Sequence, residues 1–301
     1  FKTIQERKNL LIVSKSCYEQ NKNFFLNILG PTPSYFHSGD PTNDCLVSLL
    51  SEVAKEQYEN LICVGGGSVI DLSKLAQKES KIPLIVMPST IGSGSEVSQY
   101  SVLNIDGKKV VKFGKELLPD TVILYPDILK SLPLEAVIYE AFDALAHAIE
   151  SYVSRMSNPF SDQLAVTAMN LIFEFLPKID LERLQIASML AGMAQSSAAT
   201  GLCHAFAHVI GSKQKIPHAK LIATFLIDTI KLNSKYCEKY NKLGINIVEK
   251  LGGLYETMAI KSVKITLEKN LPEEIYKDVN MLSNPCKPQI EEIKNILEGH
   301  L

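Results

Sequence analysis

Tryptophan, a Cys-x-x-Cys pair and a long uninterrupted apolar run are all missing from this chain. The first absence carries no functional message. The second excludes a zinc ribbon or a disulfide scaffold: six cysteines, at positions 17, 45, 63, 203, 237 and 286, are scattered and point to a reduced, cytoplasmic compartment. The third excludes a transmembrane helix, because no apolar stretch reaches about 18 residues without a charge or a break. A strong charge of either sign is also lacking. The formal net charge is −2 and no Lys/Arg-rich cluster occurs, so neither nucleic acid nor a membrane is an expected partner. Internal repeats are absent. The chain opens on Phe1 rather than Met and shows no signal-peptide pattern, so a trimmed or incomplete sequence is expected.

What is present is ordinary globular material, 46% hydrophobic and 21% charged, and 301 residues are enough for two domains. Asn9–Val13, Asn60–Val64 and Pro83–Met87 are short, nearly continuous apolar runs, the pattern of strands covered on both faces of a parallel sheet. Ser34–Ser38 reads as a further strand. Helical periods lie between these runs, around 18–29, 43–57 and after 68. This alternation predicts a right-handed parallel α/β domain over 1–132, with a hairpin at Asn104–Gly107. After Leu132 the strand signals fade. Helical blocks near 134–154, 158–177, 181–198, 202–213 and 217–234 predict an all-helical domain over 133–301.

Two Gly-rich loops follow successive strands of the first domain. Gly65, Gly66, Gly67 and Ser68 run from one strand into a helix, and Pro88–Thr90 with Gly92–Ser95 follow the next. Parallel sheets bind ligands at the carboxyl ends of their strands, where both loops fall. Bare backbone approaches a ligand closely, and helix N-terminal amides suit a phosphate. The first loop is neither G-x-G-x-x-G nor a P-loop. A single such loop is equally well a tight turn. Two in succession, the second rich in hydroxyls, favour a dinucleotide or a similar phosphate ligand.

The second domain carries a different chemistry. Asp143 and His147 are four residues apart in an apolar helical stretch, so their side chains share a face. Three of the six histidines, His204, His208 and His218, fall within fifteen residues of another mostly apolar region. Several separate hydrogen-bonded pairs would satisfy these groups, but one divalent cation satisfies them together. A carboxylate with imidazoles suits Fe²⁺ or Zn²⁺ better than Mg²⁺ or Ca²⁺. Spacing leaves open which of the three downstream histidines are ligands. A phosphate-cradling domain facing a metal-binding one implies a site in the cleft between them. There a Lewis acid polarises an alcohol or carbonyl oxygen while a nicotinamide exchanges hydride.

Four stretches together resemble the iron-containing (group III) alcohol dehydrogenases of the dehydroquinate synthase-like superfamily. They are Val64–Lys74, Pro88–Ser98, Asp143–Tyr152, and Cys203–His208 with Pro217–His218, and they occur in order over most of the chain. The resemblance implies a metal-dependent, NAD(P)H-linked alcohol dehydrogenase or aldehyde reductase acting on a small alcohol or aldehyde. It implies Asp143, His147, His204 and His218 as ligands to Fe²⁺ or Zn²⁺, with His208 near the nicotinamide as a proton relay. It places the pyrophosphate on Gly65, Gly66, Gly67 and Ser68, lines the cofactor cleft with Asp71, Ser89, Thr90, Ser93 and Ser95, and brings Lys109 to the ribose. Many relatives of this kind are dimers or larger, so a homodimer is the matching expectation. Alternatives within the superfamily are a glycerol dehydrogenase-like or dehydroquinate synthase-like enzyme, the latter using NAD transiently, and a catalytically silent nucleotide binder. A histidine at 147 favours the alcohol dehydrogenase branch.

One departure bears on the cofactor. Many members have Thr-Asp after the first strand, where an Asp accepts from the ribose hydroxyls of NAD and repels a 2′-phosphate. This chain has Ser14 and Lys15, which favour the phosphate and predict NADP(H) over NAD(H). Ala219 stands where Gly usually follows the Pro-His pair, Tyr125 replaces the Asp of an Asp-Pro pair, Lys178–Glu182 is short, and the amino-terminal hairpin of the family is missing or truncated.

Overall fold

A computed structural model describes residues 2–105, 108–243 and 246–301, without the side chains of Lys2, Thr3, Lys108 and Lys109. The chain forms two compact units, Phe1–Pro133 and Leu134–Leu301.

In the first unit the order is α1 (Lys2–Gln5), β1 (Asn9–Val13), α2 (Lys15–Gln20), α3 (Lys22–Leu29), β2 (Ser34–Phe36), α4 (Asn43–Val53), β3 (Asn60–Gly65), α5 (Gly67–Ser80), β4 (Leu84–Pro88), β5 (Tyr100–Ile105), β6 (Lys108–Phe113) and β7 (Thr121–Val122). Five strands form one sheet in the order β2-β1-β3-β4-β7, and every neighbouring pair is parallel. Every residue of β1, β3 and β4 is buried, as continuous apolar runs require when both sheet faces are covered. Leu10, Ile12, Leu61, Cys63, Leu84 and Val86 of these strands pack with Leu49 of α4 and Ile70 and Leu72 of α5 in one core. Because β2 and β3 flank β1 on opposite sides, the chain reverses its direction of travel across the sheet at β1/β3. That is the switch point at which parallel sheets bind ligands.

The helical period around 18–29 resolves into two helices. Ser14 Oγ accepts from Cys17 N–H at 3.2 Å and starts α2 at Lys15, earlier than the periodicity indicated. The break falls at Asn21, whose amide donates to Cys17 O and Ser131 Oγ, both at 3.0 Å. Strands β5 and β6 pair antiparallel as a hairpin requires, and the turn residues Asp106 and Gly107 lie outside the described residues.

The second unit contains α6 (Leu134–Val153), α7 (Pro159–Phe175), α8 (Leu181–Ala198), α9 (Leu202–Gln214), α10 (His218–Ser234), α11 (Ile247–Thr257), α12 (Leu271–Tyr276) and α13 (Ile290–Glu298). Helix α6 packs against α7, α8 and α10, and α9 packs against α10. Small buried residues, among them Ala144, Ala148, Ala187, Ala191 and Ala198, let these backbones approach closely. From Phe142 to Val153 every residue of α6 is buried. No helix among the described residues is long and apolar enough to cross a membrane.

Candidate functional site

The carboxyl ends of β1 to β4 surround a cavity of about 280 Å³. Ser14 and Ser16 after β1, Ser38 after β2, Gly66 and Ser68 after β3, and Ser89 and Thr90 after β4 line it, so hydroxyls converge from four strand ends. Helix α5 starts there with no side-chain cap on its N-terminal amides. A Cβ on Gly66 would stand 3.0 Å from Thr90 Cγ2, and one on Gly67 would stand 2.9 Å from Ser93 Oγ. A Cβ on Gly65 would collide with the Val69 side chain at 2.5 Å. The glycines are needed for the two loops to close on each other and on α5.

The remaining cofactor candidates are placed differently. Asp71 and Ser95 are buried in a polar cluster: Ser95 Oγ donates to Asp71 Oδ1 at 2.5 Å, and Val102 N–H donates to Asp71 Oδ2 at 2.9 Å. The fully buried Lys74 ammonium donates to Ser95 O at 2.9 Å and to Ser98 Oγ at 3.2 Å, and also bonds Tyr100 O. Burial pulls the Lys74 pKa down, and Asp71 and Glu96 oppose this. Lys15 is exposed at the start of α2, between two serines that line the cavity. Lys109 stands opposite Asn104 in the hairpin, and its side chain lies outside the described residues. Sequence reasoning missed His37, a buried residue that follows β2 and also lines the cavity; burial lowers its pKa. Nothing in its sequence surroundings marked it.

In the second unit, α6 presents Asp143 and His147 one turn apart, α9 brings His204, and α10 begins at His218. Asp143 Oδ1 is 3.4 Å from His204 Nε2, 3.6 Å from His218 Nε2 and 4.0 Å from His147 Nδ1. The ligand-type atoms of Asp143, His147 and His204 all lie within 4.8 Å of one another, and all three residues are buried. His218 joins at the open side, with about a third of its side chain exposed. The rings of His147 and His204 lie 4.3 Å apart, and those of His204 and His218 5.6 Å apart.

The electrostatics are those of a site built for positive charge. Burial raises the Asp143 pKa, but His147, His218 and His204 outweigh it and hold the carboxyl well below its usual range. Burial lowers the His204 pKa, but the Asp143 and Glu150 carboxylates beside it outweigh this and raise it to about 9. Its Nδ1–H donates to Glu150 Oε2 at 2.6 Å. His218 is held below its usual value, desolvation prevailing over attraction to Asp143. Glu140, one turn before Asp143, is pushed up to about 8, first by burial and then by Asp143. Asp143 Oδ1 and His204 Nε2 are buried atoms without a well-aligned hydrogen bond. Such atoms are costly unless something occupies the space between them, and a divalent cation suits this donor set.

His208 shares the helix face of His204 in sequence but not its surroundings. Its side chain is 31% exposed and its ring is 5.6 Å from that of His218. Asn280 Nδ2 donates to His208 Nδ1 at 3.0 Å and to Asp278 Oδ1 at 2.8 Å. A carboxylate only accepts, so the Asn280 nitrogen faces Asp278, and His208 Nδ1 accepts from the same amide group.

Comparison with known proteins agrees across both units. Residues 2–126 match the family described as iron-containing alcohol dehydrogenase, and residues 137–291 match the Fe-containing alcohol dehydrogenase family, C-terminal. An alcohol dehydrogenase of Thermococcus barophilus is 28% identical, over 85% of this chain and 81% of that protein. A 4-hydroxybutyrate dehydrogenase of Clostridium kluyveri is 30% identical, over 81% of this chain and 73% of that protein. The solved structure of an iron-containing alcohol dehydrogenase from Thermococcus thioreducens superposes with a TM-score of 0.88 at 26% identity, covering 99% of this chain and 94% of that one.

Proposed function

Since this chain belongs to the iron-containing alcohol dehydrogenase family, we propose that its Asp143–His147–His204–His218 cluster holds the catalytic cation of an aldehyde reductase that prefers NADPH. Metal-dependent, NAD(P)H-linked oxidation of small alcohols, and the reverse reduction of aldehydes, is the activity class of the chain. The observation that carries the ligand reading is the convergence of three imidazoles on one buried carboxylate oxygen, at 3.4 to 4.0 Å. When bound, the cation supplies Lewis-acid polarisation of a substrate oxygen, and a nicotinamide gives or takes the hydride.

The chain's own residues do the rest. Asp143 contributes the anionic oxygen that favours a cation, and Fe²⁺ is the family's metal. His208 is the proton-handling group, since its ring neighbours that of His218 and stays partly open to solvent. Gly66, Ser68, Ser89 and Thr90 hold the phosphates of the cofactor, as their convergence on one cavity supports. Lys15 with Ser14 and Ser16 reads the 2′-phosphate of NADP(H). The exposed lysine beside two cavity-lining hydroxyls supports this reading. A cytoplasmic homodimer completes the proposal.

Metal analysis of purified protein, combined with NADPH oxidation over a panel of small aldehydes, tests the reading. Bound iron or zinc with turnover is expected. Absence of both sinks it. Nicotinamide bound without net consumption would instead point to a lyase-like reaction or a silent nucleotide binder, and equal or higher efficiency with NADH would remove the NADP(H) preference.

A further inference from the structure

Glu150 lies seven residues after Asp143 on α6, two turns along the same helix, and is 2% exposed. A carboxylate that deep needs donors. It has three: His204 Nδ1–H at 2.6 Å and Gly201 N–H at 2.9 Å on Oε2, and Cys203 N–H at 2.6 Å on Oε1. Two of these are N-terminal amides of α9, a helix whose own flanking residue, Gly201, provides no side-chain cap. A Cβ at 201 would stand 3.1 Å from Glu150 Oε1 and 2.7 Å from Asn284 Oδ1, so glycine makes room for both side chains.

A neutral imidazole has one N–H, and the short charge-assisted bond to Glu150 claims it for Nδ1. Nε2 then offers its lone pair on the side of Asp143 and His147. We propose that Glu150 is a positioning residue of the cluster: it locks His204 as the Nδ1–H tautomer, so that Nε2 is the nitrogen presented to the cation. The same carboxylate fastens α9 to α6, joining the two helices that carry Asp143, His147 and His204. This rests on the reading of the cluster as a metal site.

Asn284 provides the control. Its Oδ1 accepts Leu202 N–H at 3.0 Å, so it caps the same helix end, and none of its hydrogen bonds goes to a histidine. The test is Zn²⁺ and Co²⁺ affinity, by chelator competition, for wild type, Glu150→Gln and Asn284→Ala, with the visible spectrum of each Co²⁺ form. Glu150→Gln should bind about 10- to 100-fold more weakly, with an altered Co²⁺ spectrum. Asn284→Ala should stay within about threefold of wild type with an unaltered spectrum, since capping alone leaves the imidazole in place. Equal losses in both variants would reduce Glu150 to a cap and overturn the inference, as would a Glu150→Gln protein indistinguishable from wild type. Wild type that takes up neither ion overturns the metal reading and this inference with it, whereas the two preceding outcomes overturn this inference alone. If Glu150→Gln does not fold, ¹⁵N spectra of histidine-labelled, Zn²⁺-loaded wild type decide: a proton on His204 Nδ1 is expected, and coordination through Nδ1 overturns it.

Discussion

Metal uptake should tighten as pH rises, with His204 setting the slope. In the metal-free protein this imidazole lies between two carboxylates, and although burial opposes its charge, Asp143 and Glu150 prevail and raise its pKa to about 9. At pH 7 it is therefore mostly protonated. A cation needs the Nε2 lone pair, so binding expels that proton while Nδ1–H stays on Glu150. One proton exchanged means about a tenfold gain in apparent affinity per pH unit, near 1.4 kcal/mol, up to about pH 9. Across the two units from about pH 6.5 to 8.5 the gain from His204 is about 100-fold, and the curve flattens above pH 9. His218 adds nothing there, since its pKa is already lowered. Competition against a chelator of known pH dependence measures the slope. Calorimetry in buffers of different ionisation heat counts the proton directly. Affinity that is flat across this window, or no proton released, would refute the picture of His204 as a shared imidazolium. The same linkage has a sign for stability. A histidine raised from 6.5 to about 9 stabilises the metal-free fold fully below pH 6.5 and loses that contribution as pH rises through 9, on the order of 3 kcal/mol. Urea unfolding of the metal-free protein at pH 6 and pH 10 reads it.

Three further outcomes follow from the geometry. Asp143→Ala removes the oxygen on which the histidines converge; metal content and turnover should fall together, while NADPH affinity, read by fluorescence titration, stays within about threefold because the cavity proposed for the cofactor lies in the first unit. Lys15→Asp should shift the NADPH-to-NADH efficiency ratio toward NADH by about tenfold or more, since one charge-assisted contact is lost and a repulsive charge takes its place; an unchanged ratio would show that Lys15 does not read the phosphate. Lys74→Ala strips the buried cluster of its only ammonium among the described residues and should destabilise the first unit by roughly 3–5 kcal/mol in chemical denaturation, whereas a loss below about 1 kcal/mol would mean that Asp71 and Ser95 satisfy each other without it.

Where the sequence was legible, the period of the chain and the chemistry of the side chain pointed the same way. The buried strands at Asn9, Asn60 and Leu84 were readable because parallel strands are apolar on both faces, and Asp143 with His147 because four residues are one helical turn. Identical spacing left His204 and His208 undistinguished: both lie on α9, but one is sealed between two carboxylates while the other is a third exposed against Asn280, and only the packing of distant segments distinguishes them. Glu150 was invisible as a functional group because its partners stand 51 to 54 residues away, so no local pattern marks it. Asp71 presents the opposite difficulty. A carboxylate just after a Gly-rich loop reads as a ligand contact, and Ser95 Oγ and Val102 N–H each donate to one of its oxygens, so it also ties α5 to the second loop and β5. Cofactor and metal groups thus differ in how far sequence reaches them. The metal set depends on helix periodicity and rare residue types, which a sequence displays. The cavity proposed for the cofactor depends on which hydroxyls four strand ends bring to one place, and that is decided only when the sheet order β2-β1-β3-β4 brings those ends together.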